Sequence, residues 1–187
     1  MAILALAACS STKLVTKWQA PATERLLFSK VLALAIAPDT SLLRRAERAI
    51  CAEVTSVTCV PAFAVIPESE MADTEKVKAL VKRDGFDGAV VFRVVSARDK
   101  VTYVAPSYGP TFWGYYGYAL TGTHAPGYLR SDQIVRVETS IYSVSEDRLL
   151  WVATTETMNP ESVSSLVEDV AKAVRRELVR AKLIPET

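Results

Sequence analysis

The sequence predicts an α+β fold with α/β-like character, in which three helices pack against a mixed β-sheet in the order β-β-α-β-α-β-β-β-α. Val31–Ala37 is an apolar run of strand length that does not alternate, which is typical of a strand covered on both faces, and Ala89–Val95 predicts a further strand. Ile134–Tyr142 instead alternates apolar and polar residues, as expected of a half-exposed antiparallel strand. Segments with apolar residues at helical spacing lie between and after these strands, so helices and strands share one domain.

The composition is that of a folded domain with almost no net charge. Half of the 187 residues are apolar, and 22 basic residues stand against 21 acidic ones, giving a formal net charge of +1. The apolar fraction excludes global disorder, and the charge balance lacks the basic excess of nucleic-acid-binding proteins. No apolar run reaches the roughly 18 residues that span a bilayer. We therefore expect a single αβ domain over residues 30–187 and no nucleic-acid partner.

Three further elements are predicted in the first half of the chain. Lys13–Trp18 alternates and indicates a short edge strand. A helix is expected over Ser41–Val54, with Glu47 among the arginines on its outer side. Thr58–Ile66 predicts a second buried strand, in which Pro61 favours an edge or a bulge because it has no N–H to donate.

Three more elements follow in the second half. A helix is expected over Asp73–Asp84, with Asp73 as its cap. The strand that begins at Ala89 should continue with a bend to Val104. Leu149–Thr157 then returns as the hairpin partner of the alternating strand.

The last helix has the clearest apolar spacing in the chain. Asn159 and Pro160 give a cap followed by a first-turn proline, the usual start signal of a helix. Pro185 should end it. The predicted inner stripe comprises Val163, Leu166, Val167, Val170, Val174, Leu178 and Ala181.

The N-terminus resembles a bacterial lipoprotein signal. Met1–Ala8 is apolar, and Leu6-Ala7-Ala8-Cys9 matches the lipobox, in which a leucine and two small residues precede a cysteine. In lipoproteins the chain is cut before the cysteine, whose thiol receives a diacylglycerol and whose new amine takes an acyl chain such as palmitate. The resemblance implies a mature chain that starts at Cys9, with residues 1–8 as a signal-peptide remnant.

The residue after the lipobox predicts the destination. Ser10 is not the aspartate that retains lipoproteins in the inner membrane, so the resemblance implies a lipid anchor on the periplasmic face of the outer membrane. More than one acyl chain gives stable anchoring. The segment departs from ordinary signal peptides because no Lys or Arg precedes Lys13. The alternative is an apolar N-terminus that holds a cysteine by chance.

From Cys9 onward the chain carries a series of short motifs. In order, they are Cys9, Trp18 with Pro21, Phe28-Ser29-Lys30-Val31-Leu32, Arg44 with Glu47, Gly85-Phe86-Asp87-Gly88, Val137-Glu138-Thr139, Leu150-Trp151 and Thr155-Glu156-Thr157. This series resembles a family of uncharacterised Gram-negative lipoproteins, a domain of unknown function. The resemblance implies an αβ domain similar to the N-terminal region of TolB and the periplasmic part of the curli secretion channel, preceded by a tether over residues 9–29. It implies no catalytic residues.

Residues 106–128 form the most unusual segment. Tyr103–Tyr128, which includes it, holds eight of the 15 aromatic residues and five of the seven glycines, and no Lys, Arg, Asp or Glu. Loops of this length are commonly functional or disordered, and Tyr and Trp beside Gly make adaptable contact surfaces. Two interpretations remain. The segment is either a loop that contacts a membrane, a partner protein or a glycan, or a flap whose aromatic side chains fold onto the domain's own sheet. The candidate contact residues are Tyr108, Phe112, Trp113, Tyr115, Tyr116, Tyr118 and Tyr128.

Cys51 and Cys59 form a candidate disulfide. They are expected at the end of the first helix and the start of the next strand, eight residues apart. The periplasm permits disulfides, provided that the turn brings the two Cα atoms within about 7 Å. Two buried free thiols are the alternative.

The residue types that carry catalysis are sparse. His124, the only histidine, cannot form a zinc site alone, and Asp87 at a strand start is best interpreted as a turn residue. We expect no enzyme activity, metal or cofactor, and predict a binding or assembly factor that contacts the membrane through its lipid and an envelope protein or further copies of itself. The alternatives are a self-assembling structural subunit at the outer membrane and an envelope hydrolase or redox protein that uses Asp87, Cys51 or Cys59.

Overall fold

The computed structural model describes residues 11–37, 39–104 and 128–186. Six strands and three helices are present in this part of the chain. The strands are β1 (Ser11–Gln19), β2 (Lys30–Ile36), β3 (Thr58–Pro61), β4 (Gly88–Val104), β5 (Tyr128–Ser143) and β6 (Arg148–Met158), and the helices are α1 (Thr40–Glu53), α2 (Thr74–Arg83) and α3 (Val163–Arg180). Their order confirms the predicted fold class.

The six strands form one mixed sheet in the order β1-β6-β5-β4-β2-β3. β2 runs parallel to both β3 and β4, whereas the pairs β1–β6, β6–β5 and β5–β4 are antiparallel. β1 lies at one edge, as its short alternating pattern predicts. β3 lies at the other edge, where Pro61 needs no N–H partner.

The helices cover the two faces of the sheet unequally. α1 and α3 pack on one face over the main core, which contains Ile50, Phe92, Trp151 and Val170. α2 packs on the opposite face over a smaller cluster that includes Val81. β2 contributes to both clusters, which explains why its apolar run does not alternate.

The predicted strand Thr58–Ile66 is wrong in length. β3 ends at Pro61, and Ala62–Ala64 turns as a short 3₁₀-helix. Glu47 stabilises this turn. The sequence predicted Glu47 on the outer side of the first helix, but its side chain is fully buried. Its carboxylate accepts hydrogen bonds from the N–H of Phe63 at 2.9 Å and of Ala35 at 3.1 Å.

The predicted start of the last helix is also wrong. Ser162 caps α3, and its side chain and that of Ser165 accept reciprocal backbone hydrogen bonds. Asn159 instead has φ +51° and belongs to the turn after β6. The apolar stripe packs inward as predicted except for Ala181, which is exposed because the helix ends at Arg180.

Candidate functional site

Most of the predicted site residues lie outside the described part of the chain. Cys9 precedes the first described residue, Ser11. Of the candidate contact residues, Tyr108, Phe112, Trp113, Tyr115, Tyr116 and Tyr118 also lie outside it. Tyr128 is described, and it begins β5 as an exposed residue paired with Val104.

β4 and β5 extend well beyond the rest of the sheet. They pair continuously from Gly88 opposite Ser143 to Val104 opposite Tyr128, with one register shift between Val94 and Ser96. β2 accompanies β4 only as far as Arg93, and β6 accompanies β5 only from Ile134 onward. Residues 99–104 and 128–133 therefore form a two-stranded ribbon, which we call the arm.

The arm exposes apolar side chains on both of its strands. Val101 and Tyr103 on β4 are each 62% exposed, and Leu129 on β5, directly opposite Tyr103, is 71% exposed. Tyr128 is 59% exposed, so four of the eleven exposed large apolar residues in the described part of the chain belong to the arm. A two-stranded ribbon has little stability alone, and apolar surface concentrated on one element marks a contact site.

A cluster of polar side chains fastens the base of the arm. Asn159 donates through Nδ2 to Asp132 at 2.8 Å and accepts through Oδ1 from the N–H of Gln133 at 2.8 Å. Arg130 donates to the same carboxylate at 2.9 Å. The hydrogen bond from Asn159, followed by that from Arg130, lowers the pKa of Asp132. The ionised carboxylate therefore ties the arm to the turn after β6.

The arm projects from the same end of the sheet at which the described chain begins. Ser11 pairs with Met158 of β6. Met158 pairs with Ile134 of β5, which in turn pairs with Arg98 of β4. From Arg98 to Val104, β4 thus extends roughly 20 Å beyond the level of Ser11, at about 3.3 Å per residue.

The face of the sheet opposite α1 and α3 carries paired charges. Glu156 contacts Lys13 at 3.1 Å and Arg136 at 2.9 Å, and Arg93 contacts Glu138 at 2.9 Å. Hydrogen bonds from Lys13 and then Arg136 lower the pKa of Glu156. Cross-strand ion pairs of this kind contribute little net stability, but they make this face polar. This polar face lies beside the arm, and exposed apolar residues are also found elsewhere, Trp18 and Leu27 among them.

Cys51 and Cys59 are brought together as a disulfide. Their sulfur atoms are 2.09 Å apart and their Cα atoms 5.2 Å apart. The bond joins the last turn of α1 to the second residue of β3 and closes the loop between them.

Asp87 supports the turn between β1 and β2 and also lines a polar cleft with Ser143, Glu146 and Arg148. Its two carboxylate oxygens accept hydrogen bonds from the N–H groups of Ser29 at 2.7 Å and Lys30 at 3.0 Å. Partial burial raises the pKa of Asp87, but these hydrogen bonds outweigh it and hold the pKa below its ordinary value. Within the described ranges, no three His, Cys, Asp or Glu side chains are grouped as metal ligands would be.

The sequence predicted that the strand reaches Val104, but not that its last residues extend beyond the neighbouring strands. Val101 and Tyr103 alternate with Lys100 and Thr102, which is a usable strand signal. Their exposure was not predictable, because it depends on where β2 and β6 stop pairing. None of the helices in the described residues is long and apolar enough to cross a membrane.

Comparisons with known proteins show similarity to solved structures only. No family model matches the sequence, and no curated protein matches it. A leucine-to-methionine variant of the PelC dodecamer from Paraburkholderia phytofirmans is 11% identical over 89% of this chain and 96% of that chain, with a TM-score of 0.47. The PelC dodecamer from Paraburkholderia phytofirmans in another crystal form is 13% identical over 95% of this chain and 100% of that chain, with a TM-score of 0.42.

A third similar structure is the lipoprotein GNA1162 from Neisseria meningitidis. It is 16% identical over 81% of this chain and 99% of that chain, with a TM-score of 0.41. All three TM-scores are below 0.5, and we draw no conclusion about activity or partners from them. The resemblance to the TolB and curli-channel domains stays a prediction.

Proposed function

We propose that this protein is a lipid-anchored lipoprotein on the periplasmic face of the outer membrane, where it acts as a non-enzymatic binding or assembly factor. The observation that carries the proposal is Leu6-Ala7-Ala8-Cys9 followed by Ser10, which supplies both the lipidated thiol and the outer-membrane address. The αβ domain is the scaffold, and the arm with the segment that it carries is the contact surface.

The spacing between Cys9 and β1 supports a domain held close to the bilayer. β1 begins at Ser11, two residues after the lipidated cysteine. Two extended residues span at most about 7 Å. A lipid on Cys9 would therefore hold the Ser11 end of the sheet against the headgroups rather than at the end of a long tether.

The direction of the arm supports the membrane as its contact. The arm leaves the domain at the Ser11 end of the sheet and carries exposed Val101, Tyr103 and Leu129. Residues 105–127, which its tip bears, contain aromatics and no Lys, Arg, Asp or Glu. Aromatic side chains favour the membrane–water interface, and an uncharged segment can enter it without burying a charge. We therefore assign the arm to the bilayer surface beside the anchor.

The anchor is tested by fractionation of the native host. Wild-type protein should partition with the outer membrane, and Cys9→Ala should be released into the periplasm or retained as the uncleaved precursor. Ser10→Ala is the matched control, because it changes the neighbouring residue without removing the thiol or introducing aspartate. Partitioning of Cys9→Ala with the outer membrane to the same extent as wild type would rule out the lipid anchor.

The arm is tested separately in the full chain carrying Cys9→Ala, which has no lipid of its own. This chain should bind vesicles of phosphatidylethanolamine and phosphatidylglycerol, and Tyr103→Ser with Leu129→Ser should weaken binding about tenfold, because two apolar side chains no longer leave water. Leu27→Ser, at an exposed apolar residue outside the arm, is the control. Unchanged vesicle binding by the arm variant would refute the membrane contact.

Replacement of residues 107–127 by a short Gly-Ser linker gives an independent test. We expect the melting temperature to remain nearly unchanged while vesicle binding is lost. A large fall in melting temperature would show instead that the aromatic residues belong to the core.

A further inference from the structure

One face of the arm is apolar. Residues that pair directly across two antiparallel strands share a face, and neighbours along each strand alternate between faces. Tyr103 pairs with Leu129, and Val101 lies two residues before Tyr103, so these three share one face. All three are more than half exposed. The charged residue of this face is Asp99, which lies at the base of the arm opposite Gln133. We call this side the apolar face.

The opposite face of the arm is basic. Lys100 lies on it, directly opposite Asp132. Arg130, two residues before Asp132, and Arg98, at the base of the arm, share the same side. The three basic residues are exposed, whereas Asp132 is buried and accepts a hydrogen bond from Arg130. Three positive charges therefore stand against one negative charge that is already paired. We call this side the basic face.

The outer edges of the arm keep it out of the hydrocarbon core of a bilayer. β2 pairs with β4 only as far as Arg93, and β6 pairs with β5 only from Ile134 onward. In the part of the chain that the structure describes, no strand therefore pairs with either outer edge of the arm. Open strand edges are not tolerated among acyl chains, because their N–H and C=O groups find no water there. The arm is therefore suited to the headgroup layer and not to crossing the bilayer.

We propose that the arm lies flat in the headgroup layer, with its apolar face toward the acyl chains and its basic face on the phosphates of anionic phospholipids. The proposal rests on the proposed membrane contact, to which it adds the contacting face and the class of lipid. Helices that lie in the membrane interface likewise combine an apolar face with a face rich in Lys and Arg. The last pair of the arm, Val104 and Tyr128, lies on the basic face, where tyrosine suits the interface.

The class of lipid is tested with the full chain carrying Cys9→Ala. Binding is compared between vesicles of phosphatidylcholine and vesicles in which phosphatidylglycerol replaces part of it. The second kind should bind about 25-fold more tightly, at about fivefold for each of the two excess positive charges, and the gain should shrink as salt is added.

The outcomes of this comparison separate the inference from the proposed function. Equal binding to both kinds of vesicle would overturn the preference for anionic lipid and leave the membrane contact of the arm in place. Binding to neither kind would refute the membrane contact and the inference together.

A charge-neutralised variant locates the preference on the basic face. Arg98→Gln with Lys100→Gln should bind phosphatidylcholine vesicles as the parent chain does and lose most of the gain on phosphatidylglycerol. Lys78→Gln with Lys82→Gln is the matched control, because it removes the same charge from exposed residues of α2. An equal loss in the two variants would show that the net charge of the chain sets the preference, and would overturn the role of the basic face.

Two single-cysteine variants test which face meets the acyl chains. Val101 and Thr102 are adjacent and exposed, and they lie on opposite faces. Val101→Cys and Thr102→Cys, each in the chain carrying Cys9→Ala, offer one free thiol for a fluorophore because Cys51 and Cys59 are bonded to each other.

Lipids brominated on their acyl chains should quench most of the fluorescence of the label on Val101→Cys and little of that on Thr102→Cys. Equal quenching of the two labels would contradict the flat orientation. Stronger quenching on Thr102→Cys would reverse the two faces, and either result would overturn the proposal.

Discussion

Glu47 accepts hydrogen bonds from two backbone N–H groups that have no partner in the sheet, those of Ala35 and Phe63. β2 pairs with β3 only from Lys30 to Ala33, so the N–H of Ala35 lies beyond the end of the edge strand. The carboxylate of Glu47 accepts from this N–H and from that of Phe63 in the following turn. Burial raises the pKa of Glu47, and the hydrogen bonds from Phe63 and Ala35 partly oppose that rise. A single buried side chain thus replaces the missing continuation of β3.

Replacing Glu47 should leave two buried N–H groups without acceptors. We expect Glu47→Met, which keeps the volume, to lower the free energy of unfolding by about 2–6 kcal/mol, at about 1–3 kcal/mol for each of the two unpaired donors. Urea denaturation with an unchanged slope is the measurement. Glu75→Met on the exposed face of α2 is the control and should have little effect. A Glu47→Met chain as stable as wild type would show that the two hydrogen bonds contribute nothing.

Asp87 makes the stability of the domain depend on pH. Its carboxylate is held by the N–H groups of Ser29 and Lys30, and its folded pKa lies below the ordinary 3.8. A carboxyl group whose pKa is lower in the folded than in the unfolded state stabilises the fold. This stabilisation is complete at pH values above the pKa of the unfolded state, and it is lost as the pH falls through the pKa of the folded state. The contribution of Asp87 should therefore disappear only in strong acid.

Asp87→Asn isolates this contribution. At pH 7 the free energy of unfolding of the variant should be about 1–2 kcal/mol lower than that of wild type. The amide NH₂ of asparagine is a donor, and it would face one of the two backbone N–H groups that the carboxylate accepts from. The difference should shrink as pH falls below 3.8. Chemical denaturation at a series of pH values measures it, with Asp99→Asn on the arm as an exposed control. A difference that grows in acid would contradict the sign of the shift.

The arm depends on one residue at its base. Asn159 adopts φ +51°, and its N–H donates to the carbonyl of Gln133 at 2.8 Å, while its side chain bonds Gln133 and Asp132. Asparagine tolerates this left-handed backbone better than most residues. Asn159 was predicted to cap the last helix, but it instead continues the pairing of β6 with β5 by one position, at Gln133. Ser162 is the cap of α3.

Asn159→Ala should loosen the arm without unfolding the domain. The variant loses two side-chain hydrogen bonds at about 1 kcal/mol each. Amide hydrogen exchange should accelerate in residues 98–104 and 128–133 and stay unchanged in α1 and α3. Asn159→Gly is the matched variant, because it removes the same hydrogen bonds but relieves the backbone strain. Uniform acceleration through the whole domain would show that Asn159 supports the core rather than the arm.

At the scale of the whole molecule, the sequence predicted the type and order of the elements. Apolar periodicity is a local property, and it identified both the run in β2 and the stripe of α3. The order of strands in the sheet was not predictable, because it depends on pairing between distant segments. The burial of Glu47 and the extent of the arm depend on where neighbouring strands stop, and so they were beyond the reach of local patterns.

The candidate site was predictable only in part. The lipobox at Cys9 and the aromatic segment over residues 106–128 stand out in the sequence, because their chemistry differs from that of the core. That the arm and the chain start share one end of the sheet follows from the registers of four strands, which no local pattern contains. The structure thus has two distinct ends, one with the arm and one with the disulfide.

The most direct test of the central proposal is the intact mass of the protein extracted with mild detergent from outer membranes of the native host. We expect a chain that begins at Cys9 and carries the added mass of a diacylglycerol and one further acyl chain. A chain that retains Met1 and carries no lipid would contradict the anchor, and with it the assignment of the arm to the membrane surface.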